Sequence, residues 1–302
     1  MTAPLKTVIV IAGPTAVGKT SVAIQVARRL GTEIISADSR QCYRELNIGV
    51  ARPSQEELAA VPHHFIASHS IHDKVNAATF EQYALEKAAQ LFRTHDAVVM
   101  VGGTGLYIKA FCEGLDLMPE VPEAVRYDIV RGYELHGLPW LQEQVQQADP
   151  AYYQEGEILN PRRLMRALEV VRATGRSVLD FRTGQKASRP FRTLKIALHL
   201  PKEQLHQHIN TRVDQMLEQG LLEEVRSLLP DQHLSALQTV GYQELFDYFN
   251  GKMGKTEAVD AIKTNTRRYA KRQMTWFRKD ESFQWWEPGN RDELMGAVEG
   301  LL

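Results

Sequence analysis

Gly13-Pro14-Thr15-Ala16-Val17-Gly18-Lys19-Thr20 fits the pattern G-x-x-x-x-G-K-[ST]. Glycines at both ends let backbone N–H groups turn inward around phosphate oxygens. Lys19 supplies a point charge and the helix that follows adds its positive end, while the Thr20 hydroxyl is suited to hold Mg²⁺. Such a loop binds a polyphosphate or pyrophosphate and does not by itself specify ATP. Two further sites could join it. Asp38, in Ser36-Ala37-Asp38-Ser39-Arg40-Gln41, could act as a general base, or its short carboxylate could simply close a turn or cap a helix. Thr104 stands in Gly102-Gly103-Thr104-Gly105, which lacks the third glycine of a dinucleotide fingerprint. The apolar strand before it ends in glycine rather than an acid, and the nearest acid, Asp96, precedes the strand. A GTPase or ATP-driven motor is thereby disfavoured, whereas a small-molecule kinase stays open.

The elements that must position these residues follow from periodicity. Thr7 to Ile11 is a β-branched run that predicts a buried strand feeding the loop, and Lys19 to Leu30 predicts a helix closed by Gly31. Short strands are expected at Glu33 to Ser36 and Ala97 to Val101, with helices at Asn76 to Arg93 and Leu106 to Phe111. Gly13, Asp38 and Thr104 each follow a strand, so all three can face one crevice beyond the carboxyl ends of a mostly parallel sheet. Helical spacing without a convincing strand runs from Glu123 to Leu179, after Pro119 and Pro122. A strand resumes at Leu194 to Leu200, then helices at Glu203 to Gly220, Leu221 to Leu229, Gly241 to Phe249 and Lys255 to Lys279, and a last strand at Phe283 to Trp286. The fold expected is α/β: a P-loop NTPase-like mostly parallel sheet flanked by helices, residues 1–115 and 193–302, with an all-helical insertion domain at 116–192.

The 302 residues are 43% hydrophobic and 24% charged, with a net charge of −1, as in a folded globular protein. Residues 160–192 hold nine Lys/Arg against two acids, and residues 262–279 hold seven against none. Two +7 islands in an otherwise acidic chain point to a localised polyanion-binding surface; the plainer alternative is two solvated helix faces. No run approaches a membrane span, residues 1–6 lack a leader pattern, and two cysteines make no disulfide framework, so a cytoplasmic protein is expected. With no coiled-coil repeat, a monomer is the default. His63, His64, His69 and His72 lack an acid or cysteine at ligand spacing, and Cys42 lacks a motif-level histidine partner.

Taken together, GPTAVGKTSVA (13–23), IISADSRQCYRELNIGVARP (34–53), VPHHF (61–65), VGGTGLYIKA (101–110), NPRRLMRALEV (160–170), TRVDQMLEQGLLEEV (211–225), VGYQE (240–244) and TRRYAKRQMTWFRK (266–279) resemble the tRNA dimethylallyltransferases (tRNA isopentenyltransferases) of bacterial type. The resemblance spans nearly the whole chain in the family's order. It implies transfer of a dimethylallyl group from dimethylallyl diphosphate to N6 of adenosine 37, beside the anticodon, with Mg²⁺. It further implies that the 13–20 loop holds diphosphate with Lys19 and Arg212, that Asp38 takes the N6 proton, and that Thr104 orients the adenine. Contacts to the tRNA anticodon stem-loop would come from Asp38, Ser39, Arg40, Gln41, Thr104, Arg126, Arg162, Arg163, Arg166, Thr239, Val240, Gly241, Tyr242, Gln243, Glu244, Arg267, Arg268, Lys271, Arg272 and Gln273. His208 stands where relatives often carry Arg. Competing readings are a P-loop small-molecule kinase, an adenine-nucleotide isopentenyltransferase with no need of two basic islands, and an RNA-binding protein using the loop as a nucleotide switch.

Overall fold

The computed structural model describes residues 5–301; residues 1–4, on which the expectation about a leader partly rests, lie outside that range. Strand β1 (Thr7–Ala12) leads into α1 (Lys19–Leu30), β2 (Ile34–Ser36), α2 (Gln55–Ala60), β3 (His63–His64), α3 (Ala77–Leu91), β4 (Ala97–Gly102) and α4 (Gly105–Glu113). Then come α5 (Glu123–Ala148), broken at Gly137, α6 (Pro150–Glu155) and α7 (Pro161–Thr174). The chain ends with β5 (Arg192–Leu198), α8 (Lys202–Glu218), α9 (Leu221–Ser227), α10 (Tyr242–Phe249), α11 (Lys255–Phe277), β6 (Gln284–Trp286) and α12 (Arg291–Leu301).

The six strands form one sheet in the order β3-β2-β4-β1-β5-β6, and every pairing is parallel. A parallel sheet needs both faces covered, and the strand alternation supplies both. Val8, Val10 and Ala12 of β1 face one core with Val98 and Met100 of β4; Ile9 and Ile11 face the other with Val99 and Val101. Each of the buried Val, Ile and Met side chains contributes roughly 1.5–3 kcal/mol. α1 is entered through Gly18 and stopped by Gly31 at φ 61°, while Asn76 caps α3 by accepting from the Ala78 and Thr79 N–H groups.

The chain divides into two compact units: residues 5–114 with 188–301, and residues 115–187. The second unit has its own core of Ile129, Leu141, Val145, Tyr152, Leu164, Leu168 and Val178. Residues 188–192 side with the first unit because Arg189 donates to the Ala110 and Phe111 carbonyls and pairs with Glu81. Consequently β5 begins at Arg192, paired with Thr7, two residues earlier than its apolar run suggests. α2, β3 and α12 are elements that periodicity did not reveal. Among the described residues no helix is long and apolar enough to cross a membrane.

Candidate active site

The loop after β1 begins at Gly13, whose φ of 143° few side chains adopt and where a Cβ would lie 2.7 Å from the Leu198 carbonyl oxygen. Ala16 takes φ 64° and Gly18 φ 94°, a left-handed alternation that turns successive N–H groups to one side. The Lys19 ammonium donates 2.7 Å to the Pro14 carbonyl, crossing the loop. Burial first, and the neighbouring Arg212 charge second, lower its pKa to about 7, with Asp38 acting in the opposite sense. Arg212 is itself held below its usual value by burial, opposed by Glu57 and Asp38. Two cations and one carboxylate therefore share a single electrostatic neighbourhood. His208, one turn before Arg212, brings Nδ1 to 3.4 Å from the Ala16 carbonyl oxygen.

In the sheet β4 lies beside β1 and β2 beyond it, so Thr104 follows the strand next to the phosphate-type loop and Asp38 the strand after that. Asp38 Oδ1 accepts from the N–H groups of Arg40 (2.8 Å) and Gln41 (3.2 Å). The carboxylate thus closes a turn through one oxygen, and Oδ2 has no partner among the described residues. Thr104 joins the two loops: its N–H donates to the Ala37 carbonyl, its Oγ accepts from the Ser39 N–H at 3.0 Å, and its hydroxyl donates to Ser39 Oγ at 3.3 Å. Tyr269 of α11 also lies near Asp38 and Arg40; burial and the Asp38 charge push its phenol up to about 12. Cys42 is fully buried and its thiol is pushed up to about 12, an inert group.

The segment from Tyr43 to Arg52 is held by two residues that motif reading passed over. Glu224 accepts from the N–H groups of Asn47, Ile48 and Gly49 and from the Tyr242 hydroxyl at 2.7 Å. Arg52 donates to the carbonyls of Tyr43, Arg44 and Leu46. Gln41 donates to the Val50 and Ala51 carbonyls, so it braces this loop from inside.

The residues expected to touch tRNA separate into exposed and buried groups. Arg268, Lys271 and Arg272 are exposed on α11, with the Arg272 guanidinium 5.6 Å from the Tyr269 ring centroid. Arg267 is tied to Asn210 (2.7 Å) and Thr264 (2.9 Å). Gln243 is exposed, and Thr239 and Val240 are partly so, whereas Gly241, Tyr242 and Glu244 are buried. Glu244 accepts from the Gly241 N–H and from Asn265, so these three hold α10 in place. Gln273 is likewise buried, with both ends of its amide engaged inside the protein. The burial of Glu244 and Gln273 is not visible in the sequence, because a polar side chain on a helix reads as exposed until its partner, far away in sequence, is known.

In the second unit α7 presents Arg162, Arg163 and Arg166 on the face opposite buried Leu164 and Leu168. Glu169, only 7% exposed, pairs with Arg166 at 3.2 Å and with Arg126 at 3.4 Å, so one covered carboxylate sets two guanidiniums; Arg163 pairs with Glu157. The first basic island is divided between the two units. Arg189 and Arg192 belong to the first unit, where Arg192 donates to Thr7 at 2.7 Å.

Among the described residues no group of three or more His, Cys, Asp or Glu could hold a metal. His64 instead bonds Glu33 (2.6 Å), and His63 bonds the Val61 carbonyl (2.7 Å). The Thr20 hydroxyl, at the start of α1, makes no hydrogen bond among the described residues. It is a protein oxygen suited to a cation whose other ligands are phosphate oxygens and water.

A family model described as IPP transferase matches residues 41–280. The chain is 49% identical to a tRNA dimethylallyltransferase of Christiangramia forsetii, over 97% of each chain. It is 44% identical to tRNA dimethylallyltransferase 1 of Bacteroides thetaiotaomicron, over 96% of this chain and 94% of that one. Among solved structures it resembles the full-length tRNA isopentenylpyrophosphate transferase of Bacillus halodurans, with a TM-score of 0.71 and 33% identity over 98% of this chain and 96% of that one. A eukaryotic dimethylallyltransferase acting on tRNA aligns with a TM-score of 0.72 and 27% identity, over 90% of this chain and 69% of that one.

Proposed function

The chain belongs to the IPP transferase family, and on that premise we propose a course for its reaction. It is an enzyme that transfers a dimethylallyl group to tRNA. The donor in our reading is dimethylallyl diphosphate and the acceptor is N6 of adenosine 37. The observation that carries this assignment is that Lys19 after β1, Asp38 after β2 and Arg212 of α8 share one electrostatic neighbourhood. Two cations beside a cradle of N–H groups suit a diphosphate, and a carboxylate beside them suits an amine that must lose a proton.

Adenine N6 is a poor nucleophile because its lone pair is delocalised into the ring. As the N6–C1 bond forms and the C1–O bond breaks, the N6 proton passes to Asp38 Oδ2, and the bond electrons leave with diphosphate. Oδ1 stays bound to two N–H groups, which fixes the carboxylate and leaves the second oxygen directed at substrate. Lys19, Arg212 and the loop N–H groups meet the charge that builds on the leaving oxygen. Mg²⁺ held by Thr20 would add Lewis-acid neutralisation of the same diphosphate. One lone pair of Thr104 Oγ remains for the adenine, which it would orient. An anticodon-loop base is stacked and must be extruded to reach this crevice. Arg268, Lys271 and Arg272 on α11, and separately Arg126, Arg162 and Arg166 in the second unit, would hold the flanking phosphates.

The test is transfer of label from dimethylallyl diphosphate to unmodified tRNA with Mg²⁺ and without ATP. Label at the single adenine beside the anticodon is the expected result. Label on free AMP alone would reassign the acceptor, and phosphate transfer from ATP without prenyl transfer would return the loop to a kinase.

A further inference from the structure

We propose that Gln273 is a positioning residue that clasps the diphosphate loop to the loop carrying Thr104, and that it makes no contact with RNA. The inference rests on the reading that residues 13–20 bind the donor's diphosphate. Gln273 lies on α11, 6% exposed, at the inner side of the helix whose outer side carries Lys271 and Arg272. Its Oε1 accepts from the Thr15 N–H at 2.9 Å, and its Nε2 donates to the Gly103 carbonyl at 2.9 Å. A single planar amide therefore spans the ends of β1 and β4 and sets the spacing between leaving-group site and adenine site.

Gly103 is shaped for this contact. A Cβ there would stand 2.2 Å from Gln273 Nε2, so any larger residue would expel the amide. Engagement of Thr15 has a second effect. Its N–H is already spent on Gln273, so the cradle offered to diphosphate begins at Ala16, where φ turns positive. The same residue thus selects which N–H groups face the ligand. Without it, a half-buried N–H and a buried carbonyl lose their partners at the two loops whose separation the reaction depends on.

The experiment uses the full-length chain and two ligands measured separately: inorganic diphosphate with Mg²⁺ by calorimetry, and unmodified tRNA at fixed salt. Gln273→Met keeps the size and removes both hydrogen bonds. It should weaken diphosphate binding about tenfold, the scale of a lost buried hydrogen bond, and leave tRNA affinity within about twofold, less than the loss of one phosphate contact. Gln273→Glu keeps the acceptor for Thr15 and sets a carboxylate against the Gly103 carbonyl. Its deficit, taken relative to wild type at each pH, should shrink as pH falls, because the protonated carboxyl can again donate to Gly103. A purely structural role would give a deficit independent of pH, and should Gln273→Met not fold, this variant decides. Unchanged diphosphate affinity with weakened tRNA binding would overturn the clasp and return Gln273 to the RNA surface. Failure of the wild-type chain to bind diphosphate would remove the reading of the loop itself, and the inference with it.

Discussion

Lys19 makes the affinity for the donor depend on pH in a direction that can be worked out. Burial and the Arg212 charge bring its ammonium to about 7, against the pull of Asp38. A diphosphate favours the charged form, so binding above that pH must take up a proton. Below pH 7 the free enzyme already carries it and affinity is flat. Above pH 7 affinity should fall about tenfold per pH unit, because the protonated fraction does. At pH 9 only ~1% of the free lysine is charged, giving up to ~100-fold weaker binding than at pH 6 if the complex keeps the proton throughout. Inorganic diphosphate titrates over the same range, so the useful quantity is a ratio. Lys19→Arg holds its charge across the interval, and dividing the wild-type affinity by that of the variant cancels the ligand's own ionisation. Calorimetry in buffers of different ionisation enthalpy reads the proton taken up directly. A ratio that stays level from pH 6 to pH 9, with no proton uptake at pH 8, would refute the combination of a lowered Lys19 pKa with a Lys19 contact to diphosphate.

Asp38→Ala should reduce prenyl transfer by about 10²–10⁴-fold, the range for loss of a general base, while tRNA binding stays largely intact; equal loss of both would move Asp38 from catalysis to binding. Arg268→Ala combined with Arg272→Ala should weaken tRNA binding and lower the slope of log affinity against log salt by about 2, read from binding isotherms at several salt concentrations. Glu224→Ala leaves three N–H groups and a buried tyrosine hydroxyl without their acceptor and should cost at least ~2 kcal/mol in urea unfolding. Leu168→Ala, in the core of the second unit, should cost about 2–5 kcal/mol, visible in the unfolding of that unit.

What the sequence makes legible is what local chemistry dictates. The loop after β1 is readable because glycine, lysine and threonine are required at set spacings over eight residues. The burial of β1 and β4 is readable because unbroken apolar runs fit a two-sided parallel sheet. Asp38 is legible as a turn or as a base, and the structure shows how one carboxylate can do the first with Oδ1 and keep Oδ2 for the second. Glu224, Glu244 and Gln273 are not legible, because nothing near them in sequence distinguishes a buried polar residue from a solvated one. Gln273 finds its partners 258 and 170 residues away. β3 is hidden for another reason: its two residues are histidines, which carry no strand signal, and they pair only because β2 offers an open edge.

The placement of the helical unit between β4 and β5 has a consequence for synthesis on the ribosome. β1 lies at the middle of the sheet, paired with β4 on one side and β5 on the other, and all six of its residues are buried. Its second neighbour begins at Arg192, about 90 residues after β4 ends at Gly102. At 5–20 residues per second the nascent chain spends roughly 5–20 s with β1 as an open, wholly apolar edge. Such an edge is a template for pairing with other chains. Meanwhile residues 115–187 emerge as a unit with a core of its own, able to fold before the sheet can be completed. Slowed elongation within that stretch would lengthen the exposure, so codon choice there bears on soluble yield in a way that no property of the finished fold reveals.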